Sequence, residues 1–485
     1  MQTRVEGTTQ GIRTAFAVAL AATSLILAGC SAMNTVANSN SAASTPAATT
    51  AVPVSITDAP SDRVIAASLT LNSIVLTNSK GATTSILSAP ATFEATHLDA
   101  VQEPLFTPAI PEDTYTSVTL SYSNAQVAYI DPTTKQVVLG TAMLANNSQV
   151  FTFPNAVVVN NTTESLLIDY LVANSVSISG STVTVTPAFH IAVAPIPQQP
   201  TNGTNGLQCG VKGKVTALGT DSFTLVNGAG ISLTVAVNAN TQYQGLSGFS
   251  ALAVGALVEV DLATQANGGF LALRVEEQAA PNMATQLLVG PVVSVTGSPA
   301  TSFAQMVRQK VGPAATAIPV ETDTITINGS TTFLLPGRFN NLAGGPLPFT
   351  ATFSAATLFA GQSVSVATNG VTNNAATAVF VALNPQTVGG TIASIGNPGS
   401  PAGFTSYTLT LPSDSWLATL TGKTTVTVYT NANVQAINSA PLTVGDTARF
   451  HGFLFNNKGT LVLLAAVEAD GPGNPIGPVS TNPVI

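Results

Sequence analysis

The chain has 485 residues, 45% apolar and only 7% charged, with 14 Lys and Arg against 22 Asp and Glu for a net charge of −8. Charge this sparse excludes a charge-rich disordered chain and a coiled coil. The acidic balance argues against nucleic-acid binding, which needs a basic face for phosphate contacts.

The N-terminus reads as an address. Arg4 and Arg13 give a weakly basic start, and an apolar run follows from Ala15 to Leu27. The run is shorter than the about 20 residues needed to span a hydrocarbon core, and fits the central region of a secretory signal peptide. It ends in Leu27-Ala28-Gly29-Cys30, which resembles a bacterial lipobox. The resemblance implies cleavage before Cys30, lipidation of its thiol, and a membrane partner reached through that anchor. Ser31 in the next position, rather than Asp, resembles the pattern sorted to the outer membrane. An ordinary signal peptide with an incidental cysteine is the competing reading. Residues 1–29 are thus expected to be a signal peptide. Residues 30–51, rich in Ser, Thr, Ala and Asn without periodicity, are expected to be a flexible tether. The only other cysteine, Cys209, then has no intramolecular partner and reads as a half-buried small residue.

Residues 52–196 form the first expected domain. Leu69 to Asn72, Tyr115 to Ala128 and Thr182 to Ala194 alternate with period two, placing Val183, Val185, Phe189, Ile191 and Val193 on one face. Glu164 to Leu171 reads as a short helical turn. Many short strands with turn signals predict an antiparallel sandwich. The segments VSITDAPSDRVIAASLTLNSIVL and IPEDTYTSVTLSY resemble domain of unknown function 4382. That resemblance implies an immunoglobulin-like or prealbumin-like sandwich on a bacterial lipoprotein, with no activity attached.

After a Pro/Gly/Asn linker at 197–206 the chain repeats itself three times, over 207–279, 286–385 and 387–470. Each copy opens with a glycine and soon a β-branched residue (Gly213, Gly290, Gly390). An aromatic strand follows (Phe223, Phe303, Tyr407), then a third strand (Leu233 to Val237, Ile325 to Ile327, Val426 to Val428). A small residue plus glycine (Gly255, Gly361, Gly445) introduces the fourth strand, and an apolar fifth strand closes the copy. Five short strands per copy predict small barrels like those of oligonucleotide- and oligosaccharide-binding folds. The first copy resembles domain of unknown function 5666; the second departs most, with an insertion at 336–356. Residues 471–485 read as a disordered tail. The fold class expected is therefore all-β, a sandwich followed by three five-stranded barrels.

Chemistry-bearing residues are few. In the fourth strands Val258, Val364 and Ala448 point inward, while Glu259, Ser365 and Arg449, and Asp261, Ala367 and His451, point outward. The inward face is kept and the outward face drifts, as in a scaffold. His97, His190 and His451 show no metal-ligand spacing, and His190 and His451 read as outward-facing. Asp58 and Asp62, and the group Asp99, Glu103, Glu112 and Asp113, read as turn caps, with calcium as the alternative. Phe339, Phe349 and Phe353 of the insertion either cover an open barrel end or pack on a neighbouring domain, or they meet a ligand. Trp416, the only tryptophan, either plugs a core edge or stacks on a sugar. No Walker loop, Rossmann fingerprint or nucleophile elbow occurs.

These residues point to a non-catalytic, lipid-anchored protein of the bacterial cell envelope, structural, adhesive or interacting, with no catalytic, metal or cofactor site and Cys30 as its lipidation site. An envelope protein or a glycan is the partner class expected. A carbohydrate-binding surface lipoprotein and a hydrolytic enzyme are the alternatives.

Overall fold

The computed structural model describes residues 47–59, 61–98, 102–160, 164–200, 205–312, 320–399, 403–437 and 441–470. The signal peptide expected at 1–29, Cys30, Asp99 and the tail at 471–485 lie outside the described residues. The last residues assigned to the tether do not: Thr49–Ala51 is a strand paired antiparallel with Ala109–Pro111. The described chain is all-β, with α-helices of only four, seven and six residues. None of these helices is long and apolar enough to cross a membrane.

The N-terminal domain is two facing sheets. One is built on the antiparallel pair Val64–Asn78 and Asp113–Ile130, with Ser148–Val159 and Val137–Thr141 along the outer edge of the latter. The other runs Phe189–Pro195, Glu164–Leu171, Val54–Ala59, Glu103–Phe106. Leu69, Leu71, Leu120 and Tyr122 meet Val54, Ile56, Ile168 and Tyr170 in one core. Phe189 is centred 5.1 Å from Tyr170 and 5.7 Å from Tyr122. Two features depart from the expectation. Glu164–Leu171 is a central strand, not a helical turn, and it runs parallel to Val54–Ala59. Covered on both faces, it buries the polar Ser165 and Asp169 among its apolar residues and shows no period to read. The stretch Thr182 to Ala194 is two strands in different sheets, Thr182–Val185 and Phe189–Pro195. Pro187 lies at the break, and proline cannot donate to a ladder.

Each of the three C-terminal copies is a closed five-stranded barrel. In the first, Leu207–Leu218 pairs with both Ser222–Asn227 and Leu257–Thr264, and Ser232–Ala236 meets Phe270–Ala279 in parallel to close the ring. The second closes the same way from Gln286–Gly297, Ala300–Val307, Glu321–Thr326, Ser363–Thr368 and Ala375–Leu383. The third uses Gln386–Ile395, Thr405–Thr410, Thr425–Thr430, Thr447–Asn457 and Thr460–Asp470.

The repeated glycines have physical causes. Gly255, Gly361 and Gly445 have φ of 95°, 108° and 97°, a left-handed region that strains other residues. Each donates its N–H at 2.8 Å to the first strand, to Val215 O, Val292 O and Ile392 O. The opening glycines lie where another strand crosses closely. A Cβ at Gly390 would sit 2.6 Å from Thr410 O, and one at Gly290 would collide with Met306 O.

The second barrel contains a polar irregularity. Asp323 and Gln305 are cross-strand partners, both fully buried. Both Asp323 carboxyl oxygens and Gln305 Oε1 lack a hydrogen-bond partner. A proton on Asp323 supplies the donor that these acceptors lack. Burial, then the charge of Glu321, pushes Asp323 up to about 6, although Lys310 opposes this. A raised folded-state value means stability fully present below the ordinary Asp value of about 4 and lost as pH rises through about 6. Thermal melts of wild type and Asp323→Asn at pH 4.5 and pH 8 test this. Asp323→Asn is expected to melt higher than wild type at pH 8 and no higher at pH 4.5; equal differences at both values would refute the assignment.

Candidate functional site

The outward faces of the barrels' fourth strands are shielded from water. Glu259, Ser365, Arg449, Ala367 and His451 are all buried, because strands one and four of each barrel turn their outer faces toward one another and toward the sandwich. This corrects the expectation that His451 faces outward to solvent: it is outward from its own barrel and inside the junction. There, residues of all four domains line a cavity of about 70 Å³. Thr96, His97 and Glu103 come from the sandwich, Lys212 from the first barrel, Arg308 and Arg338 from the second, and Thr387 and His451 from the third.

Glu259 is the centre of the charge on one side. Its Oε2 lies 2.8 Å from Lys212 Nζ, and its Oε1 lies 3.0 Å from Arg274 Nη2 and also pairs with Arg338 Nη2. Arg274 uses its whole fork, with Nε 2.6 Å from Asp261 Oδ2 and Nη1 on Glu276. The strands explain the placement. Lys212 and Glu259 are cross-strand partners, as are Glu259 and Glu276, and Asp261 and Arg274. Arg338 arrives from the insertion, on the helix Gly337–Ala343, whose Gly337 N donates to Glu276 Oε1 at 3.1 Å. Burial, then the charge of Arg338, pulls Lys212 down to about 7.

The sandwich supplies a second cluster. His97 Nδ1 is 3.2 Å from Glu94 Oε2, and Nε2 is 3.3 Å from Glu103 Oε1, an ion pair lying off the angle of a hydrogen bond. Burial alone would lower His97, but the ion pair with Glu103, together with the hydrogen bond and charge of Glu94, outweighs it and raises it to about 9. His97 is thus an imidazolium at neutral pH. Burial likewise works against Glu94 ionising, and His97, Arg308 and Thr96 together hold it below the usual range. Glu103 also accepts from Gln309 Nε2 at 2.8 Å.

Arg308 ties three domains together. Its Nε donates to Ile65 O at 2.7 Å and its Nη1 to Thr96 O at 3.4 Å, while its guanidinium lies 5.7 Å from the Trp416 ring centre. Trp416 N donates to Asp62 O at 2.8 Å, and Arg449 Nη2 is 3.5 Å from Asp62 Oδ2. In the third barrel Thr387 Oγ1 is 3.0 Å from His451 Nδ1. Burial, then the charges of Arg338 and Lys212, pushes His451 down to about 3, so it is neutral.

The residues singled out from the sequence fall as follows. Glu103 belongs to the junction, whereas Glu112 accepts from Thr50 Oγ1 and Asp113 accepts from Asn78, so the acidic group does not converge. Asp58 accepts from Val172 N, and Asp62 faces the third barrel. Among the described residues no three His, Cys, Asp or Glu side chains are placed to hold a metal ion. Glu94 and Glu103 lie on opposite nitrogens of the His97 ring and share no focus. His190 is half-buried, opposite Asp169. Cys209 is half-buried, and burial pushes its thiol up. Phe339 and Phe349 pack against Phe453, Phe455 and Tyr429 of the third barrel, and Phe353 against Phe333. Trp416 is buried under Arg308. Lys212, Arg274, Glu276, Arg308, Arg338 and Glu94 were not singled out. The signal was present in VEVDL and ALRVEE, where charges alternate with core residues in a chain that otherwise has few.

The family described as Domain of unknown function (DUF5666) matches residues 212–276, which lie within the first barrel. No curated protein matches the chain. A solved multidomain protein with nucleic acid binding domains from Streptococcus pneumoniae is similar at 10% identity, over 53% of this chain and 72% of that one, with a TM-score of 0.12. A likeness of that score carries no argument.

Glu259→Gln leaves two buried cations, Lys212 and Arg274, and the partly buried Arg338 short of their shared anion. Breaking a buried pair on one side costs about 3–5 kcal/mol. The midpoint of urea unfolding is expected to fall accordingly for Glu259→Gln. It is expected to stay put for Arg63→Ala, whose partner Asp414 and itself are about half exposed, at 55% and 48%. Equal effects of the two substitutions would show that the junction carries no special weight.

Proposed function

We propose that the chain is a non-catalytic, lipid-anchored interaction module of the bacterial cell envelope. Cys30 holds it at the membrane, and the tether lifts the folded body from the bilayer. The charged groups of the junction support the non-catalytic part of this reading, since they are engaged with one another across domains. Trp416, on which sugar stacking would rest, lies beneath Arg308 and supports no glycan site.

The observation that carries the interaction role is the outer edge of the sandwich. Val137–Thr141 and Ser148–Val159 follow one another along Asp113–Ile130 and contain no charged residue. Leu139, Val150 and Val158 on them are exposed. Exposed strand edges are usually blunted by charge, lysine above all, and this one carries instead Pro154 within a register shift between Thr152 and Val157. An edge left open in this way is a template for main-chain pairing with another chain.

Two measurements test the reading. Cys30→Ser is expected to move the protein from the detergent-rich to the aqueous phase on Triton X-114 partition; unchanged partition would overturn the anchor. Val150→Lys is expected to abolish co-purification of cross-linked envelope proteins, with the melting temperature unchanged. Undiminished capture would remove the edge as the interaction surface.

A further inference from the structure

We propose that the cavity at the four-domain junction binds one free tetrahedral oxyanion, phosphate or sulfate, which fastens the three barrels to the sandwich. This goes beyond the interaction role and does not depend on it. The cavity volume of about 70 Å³ is well above the minimum of roughly 10–15 Å³ that a single water needs. That is room enough for such an ion.

The walls carry the matching charge. Lys212, Arg308, Arg338 and the His97 imidazolium line the cavity, against a single carboxylate, Glu103. Glu103 is already engaged by His97 and Gln309. Behind the wall, Glu259 is shared by Lys212, Arg274 and Arg338, while Asp261 and Glu276 complete the pairing of Arg274. Lys212 is 8% exposed, and among the described residues its ammonium makes one ion pair although it has three donors. Its low affinity for a proton, and that of His451, both follow in part from neighbouring cations. An oxyanion beside Lys212 and Arg338 gives these donors charge-assisted acceptors and offsets the repulsion between them.

The full-length chain in detergent tests this with inorganic phosphate and with sulfate, each titrated against chloride at constant ionic strength. The melting temperature is expected to rise saturably by about 2 °C or more with either ion. Equilibrium dialysis with labelled phosphate is expected to find one ion per chain, displaced by sulfate. Lys212→Met and Arg338→Gln are each expected to weaken binding at least about tenfold, the loss of one charged hydrogen bond. Absence of saturable binding to the wild type overturns the proposal, as does undiminished binding by folded variants. Should a variant fail to fold, dialysis of the wild type decides alone.

Discussion

A charge taken out of water needs its opposite close by, and Glu259 meets three such needs at once. Lys212 and Arg274 reach it from its own barrel and Arg338 reaches it from the next. Lys212 and Arg274 are buried and Arg338 is only a quarter exposed, so the first and second barrels are held to one arrangement. Around the cavity the same logic recurs. Glu103 joins the sandwich to Gln309 of the second barrel, and Asp62 joins it to Arg449 of the third. A chain that keeps only 7% charged residues places a substantial share of them where domains meet.

Apolar contact alone would not give this. The cores of the domains do run together, since Ile65, Ala66 and Ala128 of the sandwich share a cluster with Val293, Met306 and the third barrel's Phe450. Apolar contact is non-directional, however, and tolerates sliding and rotation. Hydrogen bonds between named atoms do not. Arg308 on the carbonyls of Ile65 and Thr96, Gln362 Nε2 on Leu454 O at 3.0 Å, and Gln386 Nε2 on Gly361 O at 2.8 Å each set one register between two domains. The insertion of the second barrel serves both purposes. Its phenylalanines pack on the third barrel while its Arg338 reaches back to the first.

The repeats were legible in the sequence because barrel closure makes local demands. A left-handed turn needs Gly255, Gly361 or Gly445, and a close strand crossing needs Gly290 or Gly390. Those demands fall on single positions and leave a mark every time. The central strand Glu164–Leu171 left none, because cover on both faces erases alternation. The junction was half legible. Alternation placed Glu259 and His451 outside their barrels, but a strand pattern says only which side a residue faces. What covers that side depends on partners such as Arg338, 79 positions away from Glu259, and Gln309, 206 away from Glu103.

The drift of the outward positions takes on a different meaning in this light. Glu259, Ser365 and Arg449 occupy one place in the repeat, and so do Asp261, Ala367 and His451. Were these faces solvated, their differences would be neutral variation on a scaffold. Buried against one another, they must differ, because three copies of one charge around a shared centre would repel. The first barrel's Glu259 takes Lys212, Arg274 and the second barrel's Arg338, the third barrel's Arg449 takes Asp62 of the sandwich, and His451 beside the cations stays neutral. Divergence of the copies is therefore what allows three like barrels and a sandwich to close on a common interior.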